Sequence, residues 1–215
     1  MTTGTAAGAD LSVDLLDGTA ATTALLSSLM LTPPDPEALA RLRSAAELEW
    51  PFPDAEGSTP EAVLLLCAPV AQDEVAADHL RLFGGAMPAL APPHESVYRS
   101  EDHLLFGEVT MQVREAYARH DLAAPAGGRP TDDHAGLELA FVAHLCLLVL
   151  DALDRGDHES AQAIATDLRA FWSEHLLTWL PAFAGLVTKN ADTTLYRGVG
   201  LLLAEEARRW TALTR

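Results

Sequence analysis

Between Asp132 and Leu153 the chain places Leu137, Phe141, Leu145 and Leu148 on one helical stripe and Leu139, Val142, Cys146, Val149 and Leu153 on the opposite one. A helix that is apolar nearly all round is stable in water only when other elements cover it on every side. Its uninterrupted apolar run, Leu139 to Leu150, is about 12 residues and contains His144, short of the roughly 20 needed to span a bilayer. The cover must therefore come from the chain itself, with this helix at the centre of a bundle.

The rest of the sequence supplies helices to do this. Runs of alternating Val, Ile, Thr and aromatic residues bounded by turns are missing, whereas apolar positions recur at helical spacing. A first helix is predicted over Leu11 to Met30, ending before Pro33-Pro34-Asp35-Pro36. A second starts near Pro36, carries Leu39, Leu42 and Leu48, and ends at Trp50-Pro51-Phe52-Pro53. A third opens at Thr59-Pro60-Glu61, with proline at its first position, and runs to Leu66. A fourth covers Val75 to Phe83 and stops at Gly84-Gly85, before a proline-rich connection from Met87 to Pro93. The next is predicted from Ser100 to Arg119 with Leu105, Val109, Val113, Ala116 and Tyr117 on one face. A loop from Asp121 to Thr131, holding Pro125, Gly127, Gly128 and Pro130, divides the chain into helical parts 1–125 and 126–215 of one domain. Asp132 or Asp133 is placed to cap the central helix, which Arg155-Gly156-Asp157 closes. A segment with Ala161, Ile164, Leu168, Phe171, His175 and Trp179 is expected to break at Pro181, and a last helix covers Asp192 to Ala212. The fold class is all-α.

Charge narrows the partners. Fourteen Lys and Arg stand against 31 Asp and Glu, a formal net charge of −17. Such a chain repels the phosphates of DNA or RNA and suits a cationic peptide or an arginine-bearing surface. Cys67 and Cys146 each lie in an apolar run, as free thiols in a reducing compartment do. No Lys or Arg precedes Arg41, so the basic start of a secretory signal is absent and a cytoplasmic location without stable membrane insertion is expected.

Several groups invite an enzymatic reading. Asp78-His79, Asp102-His103 and Asp133-His134 are Asp-His pairs, and His120-Asp121 has the order found in helical metal-dependent phosphohydrolases. A hydrolase built on His94, His103, His120 and Asp121 is the alternative function. His134 and Glu138, four apart, fit one face of a carboxylate-bridged bundle, but such a site needs a second matching helix. His144 is read as a core histidine. Gly198-Val199-Gly200 lies inside a helical pattern with no strand before it, and no phosphate-binding loop, Gly-x-Ser-x-Gly or Cys-x-x-Cys motif is present. No catalytic residue, metal or cofactor is expected.

Two loops are richer in particular residue types than a linker requires: Ala91-Pro92-Pro93-His94-Glu95-Ser96-Val97-Tyr98, and Pro130-Thr131-Asp132-Asp133-His134 leading into Glu138-Leu139. With Leu82-Phe83-Gly84 before them and Phe171-Trp172, His175-Leu176 and Trp179-x-Pro181 after them, the chain resembles the TorD/DmsD family of redox-enzyme maturation, or Tat proofreading, chaperones over most of its length. In that family's common Glu-Pro-x-Asp-His loop the proline stands three before the histidine; here Pro130 stands four before His134, after Arg129.

The resemblance implies an all-helical chaperone whose partners are the apo catalytic subunit of a molybdenum-cofactor oxidoreductase of the dimethyl-sulfoxide-reductase type and its twin-arginine signal peptide. It implies a monomer or a domain-swapped homodimer, with the 121–131 loop as a hinge. The carried-over client-binding residues are Pro93, Glu95, Ser96 and Tyr98 from the first loop and Asp133 and His134 from the second. Two arginines followed by an apolar stretch call for carboxylates beside a hydrophobic groove. Glu95, Asp132 and Asp133 are the candidate arginine acceptors, and Phe83, Val97 and Tyr98 the candidate walls. The competing structural roles are a solvated charge or cap partner for Glu95, the helix cap for Asp133, and plain packing for Tyr98.

Overall fold

A computed structural model describes residues 11–45, 59–84, 87–100, 107–125 and 130–214. In chain order its helices are α1 (Val13–Leu31), α2 (Pro36–Ala45), α3 (Thr59–Leu66), α4 (Gln72–Phe83), α5 (Glu95–Arg99), α6 (Glu108–Ala118), α7 (Ala135–Asp154), α8 (His158–Phe171), α9 (Leu177–Asn190) and α10 (Thr194–Leu213). A π-helical turn, Trp172–Leu176, joins α8 to α9. Among the described residues there is no strand, only an isolated bridge between His94 and His134.

The helix predicted at the centre is there. Leu139, Phe141, Val142, Leu145, Cys146 and Val149 of α7 are buried, with α1 along one flank and α8 along another. Within the 20 residues of α7 an 18-residue stretch has a mean hydropathy of 2.0, long and apolar enough to cross a bilayer by those measures alone. Here most of its apolar side chains pack against the rest of the protein, with Leu147 left exposed. Gly136 permits a close approach: a Cβ there would lie 2.6 Å from the Leu31 side chain at the end of α1. On the other side of the bundle α10 packs on α3, α4 and α9. Its Gly198 and Gly200, at which a Cβ would meet the Ala62 carbonyl at 2.8 Å and Thr188 Oγ1 at 2.3 Å, are close-packing positions. Helices from both sides of the 121–131 connection thus share one core. Burying each large apolar side chain there contributes about 1.5–3 kcal/mol, and Trp172 and Trp210 stack inside it with ring centres 5.1 Å apart.

Three sequence expectations are corrected. The helix predicted from Ser100 to Arg119 starts later: α5 ends at Arg99, Ser100 after it is extended, and α6 begins only after Gly107. The expected Leu105 contribution lies outside the described residues, as do Leu48, the Trp50 to Pro53 stop, Gly85 and the Gly127-Gly128 pair. The cap of α7 is His134 rather than an aspartate, its Nδ1 accepting the Gly136 N–H at 3.0 Å. Pro181 does not end its helix. It lies in the first turns of α9 and forfeits one backbone bond, while burial of Trp179, Leu180, Phe183 and Ala184 keeps the helix going.

Candidate functional site

The two loops singled out in the sequence meet. Pro92 and Pro93 carry no N–H and cannot extend a helix, so the chain enters α5 extended and runs antiparallel to residues 133–135. Ala135 N–H donates to the Pro93 carbonyl at 2.8 Å and Glu95 N–H to the Asp133 carbonyl at 2.9 Å. Between these bonds the His94 and His134 rings meet edge to face, centres 5.1 Å apart. Burial lowers the affinity of both rings for a second proton, with His134 pushed down to about 3. A neutral His134 is also what its cap requires, because an Nδ1 that accepts a hydrogen bond leaves the proton on Nε2.

Asp132 and Asp133 form a turn closed by the His134 N–H on the Thr131 carbonyl at 3.1 Å, and the side chains of Asp132, Asp133 and His134 go to three different places. Asp133 is fully buried; Oδ2 accepts Ser96 N–H at 3.1 Å and Oδ1 accepts the Thr131 hydroxyl at 2.7 Å. Burial alone would raise its pKa, but the bonds from Ser96 and Thr131 prevail and hold it below the ordinary carboxylate value. It thus caps α5 from across the junction, and a helix of five residues needs that help because one turn does not stabilise itself. Asp132 turns the other way. Arg114 of α6 grips it at both oxygens, 3.2 and 2.7 Å, and the Tyr117 hydroxyl donates to its carbonyl at 2.9 Å.

Glu95 points inward and is fully buried. Its carboxylate pairs with Arg99 one turn on, and His175 Nδ1 from the π-helical turn lies 3.0 and 3.2 Å from its two oxygens. Arg99 also donates to the Glu174 carbonyl at 3.0 Å, so α5 is tied to the turn by side chain and backbone. Behind Glu95 lies Glu138 of α7, also fully buried; Trp179 Nε1–H donates to Oε2 at 3.4 Å. Burial first, then the charges of Glu95 and Asp133, raise the Glu138 pKa well above the usual carboxylate range.

An aromatic seam closes the junction. Tyr98 lies 5.3 Å from Trp179 and 6.3 Å from Phe183, and Phe83 packs 6.1 Å from the same Phe183. The expected walls Phe83 and Tyr98 are therefore joined through α9, with Tyr98 and Val97 half-buried and Pro93, Ser96 and Phe83 buried. The three expected arginine acceptors are all engaged within the protein, and two of them pair with arginines that reach solvent, Asp132 with Arg114 and Glu95 with Arg99. A groove of about 540 Å³ lies elsewhere, between α1 and α2, lined by Leu25, Leu29, Pro33, Pro34 and Leu42.

Sequence reasoning missed Arg99, Arg114 and the buried use of Glu138. The signal for Glu138 was there: it is the only Asp, Glu, Lys or Arg between Asp133 and Asp151. The residues of the hydrolase alternative have separate partners, His94 on His134 and His120 bonded to Asp167 at 3.0 Å, while the Asp102-His103 pair lies outside the described residues. His134 and Glu138 spend their side chains on the α7 cap and on Trp179. His144 is half-exposed rather than core, Cys146 is buried and Cys67 half-buried, both free thiols.

Residues 33–185 match the model of the family described as nitrate reductase delta subunit. The chain is similar to the chaperone protein TorD of Vibrio cholerae, 34% identical over 133 residues, which are 61% of this chain and 58% of the relative. That alignment spans little more than half of the relative's length. It is also similar to the Tat proofreading chaperone DmsD of Salmonella typhi, 26% identical over 201 residues, 91% of this chain and 90% of that one. A solved structure described as a candidate redox enzyme maturation protein from Archaeoglobus fulgidus aligns at 17% identity and a TM-score of 0.47, covering 90% of this chain and 91% of that one.

Proposed function

The chain belongs to the nitrate reductase delta subunit family, that of the TorD and DmsD chaperones, and on that premise we propose that it is a cytoplasmic assembly chaperone rather than an enzyme. Its client is the apo catalytic subunit of a molybdenum-cofactor oxidoreductase of the dimethyl-sulfoxide-reductase type. It holds that subunit, through the twin-arginine signal peptide, until cofactor is inserted, and so prevents premature export.

One observation carries this reading: Glu95, Asp133 and Glu138, from two separate segments, are gathered behind a seam of Phe83, Tyr98, Trp179 and Phe183. A twin-arginine signal is two guanidinium groups followed by an apolar stretch, and carboxylates next to aromatic rings complement both. Asp132 is the point of entry, since an incoming arginine need only displace the half-exposed Arg114. The net charge of −17 draws a cationic segment in. Release of the client requires modest affinity, on the order of micromolar, or about −8 kcal/mol. The protein acts as a monomer or as a dimer exchanging its C-terminal part about the 121–131 hinge.

Calorimetric titration with twin-arginine signal peptides from molybdoenzymes encoded beside the gene tests the reading, each against a twin-lysine version at low and high salt. Saturable, salt-weakened binding of one peptide that fails with twin lysine is the expected result. Failure of every such peptide and of the full-length apoenzymes to bind overturns it.

A further inference from the structure

Glu138 holds neither loop in place. It is wholly enclosed, its Oε2 receives one long bond from Trp179 Nε1–H at 3.4 Å, and its Oε1 has no hydrogen-bond partner. A carboxylate that stays ionised inside a protein is surrounded by donors, as Asp133 is; Glu138 has no such set. Its charged and titratable surroundings argue the same way. Glu95 and Arg99 face it from α5, Asp133 from its own approach loop and Tyr117 from α6, and His175 stands beyond Glu95 on the π-helical turn. The guanidinium that acts on it, Arg99, is already taken by Glu95 and the Glu174 carbonyl. A neutral carboxyl group suits this position, and a second cation entering it would favour ionisation.

We propose that Glu138 carries a proton in the free protein and surrenders it when a client guanidinium enters the carboxylate set, so that client binding is coupled to proton release. The balance is simple. The Glu138 O–H bond breaks, the proton leaves to the buffer, and a guanidinium N–H donates to the carboxylate that results. This regulation rests on the client reading above. It makes the peptide bind more tightly as pH rises, by up to about tenfold per pH unit while the free protein still holds the proton.

The test is titration of the intact protein with the bound twin-arginine peptide in two buffers of different ionisation enthalpy at one pH. The wild type should show enthalpies that differ by the buffer heat of about one proton per peptide, and Glu138→Gln should bind with no such difference. Equal enthalpies in the wild type, or an unchanged difference in Glu138→Gln, overturn the coupling and leave the chaperone reading standing. Should the variant fail to fold, the wild-type affinity between about pH 6 and 8 decides alone, a flat profile refuting the proposal. If no peptide binds in any buffer, this proposal falls, and the client reading falls with it only when the full-length apoenzymes also fail to bind.

Discussion

Glu95 and Glu206 are the same residue type in the same local setting, each inside the core and each paired with an arginine on its own helix, Arg99 four residues on and Arg209 three residues on. Glu95 is also hydrogen-bonded to a distant segment, through His175, 80 residues away, whereas the distant group that Glu206 faces is the Cys146 thiol of α7, which its charge disfavours ionising. Glu206 keeps one oxygen without a hydrogen-bond partner, and burial raises its pKa to about 7, with Glu205 adding to the rise and Arg209 opposing it. A local i,i+3 or i,i+4 pair is therefore not what makes a buried carboxylate worth keeping. A buried carboxylate stabilises when it joins pieces of chain that cannot hold themselves, as α5 cannot, and is a burden where one of its oxygens is left without a donor, as in Glu206.

The largest expected effect separates the two. Glu95→Gln leaves Arg99 and His175 facing a neutral group and should cost about 3 kcal/mol, read as a shift in urea midpoint at constant slope. Stability within 1 kcal/mol of wild type, roughly the size of a neutral hydrogen bond, would erase the distinction. Glu206→Gln should act in the opposite sense. Because the native pKa is raised above the unfolded value, the ionisable residue's contribution is favourable in acid and lost as pH rises through about 7. The variant should thus gain on the order of 3 kcal/mol at pH 8 and nothing below about pH 4, in thermal melts at both pH values. Arg114→Ala is the smallest change in stability, because the arginine itself is half-exposed to water, yet it should alter peptide affinity if Asp132 is the entry point.

What the sequence made legible follows the same division. Elements set by apolar period and punctuation were readable: α7 from its two apolar stripes, α3 from Thr59-Pro60-Glu61, and the end of α4 from Gly84, whose φ is +127°. The meeting of the two loops was readable only as co-occurring motifs. The orientation of Asp132, Asp133 and His134 was not, because which of three adjacent polar residues caps a helix depends on what stands opposite, here Ser96, Arg114 and the α7 amides. Pro181 misled for a related reason: propensity is local, and the burial that overrules it is not.

The π-helical turn bears on when the junction can exist. His175 lies on it, and Glu95 has waited through 80 residues of chain before His175 can close against it. Helices such as α1 can begin to form from contacts within a few residues, but closing so long a loop is a late event in folding. During synthesis from the N-terminus the acidic junction is completed only after the chain has emerged beyond α8. A nascent chain stalled before that point would have most of its helices and no finished place to receive a client.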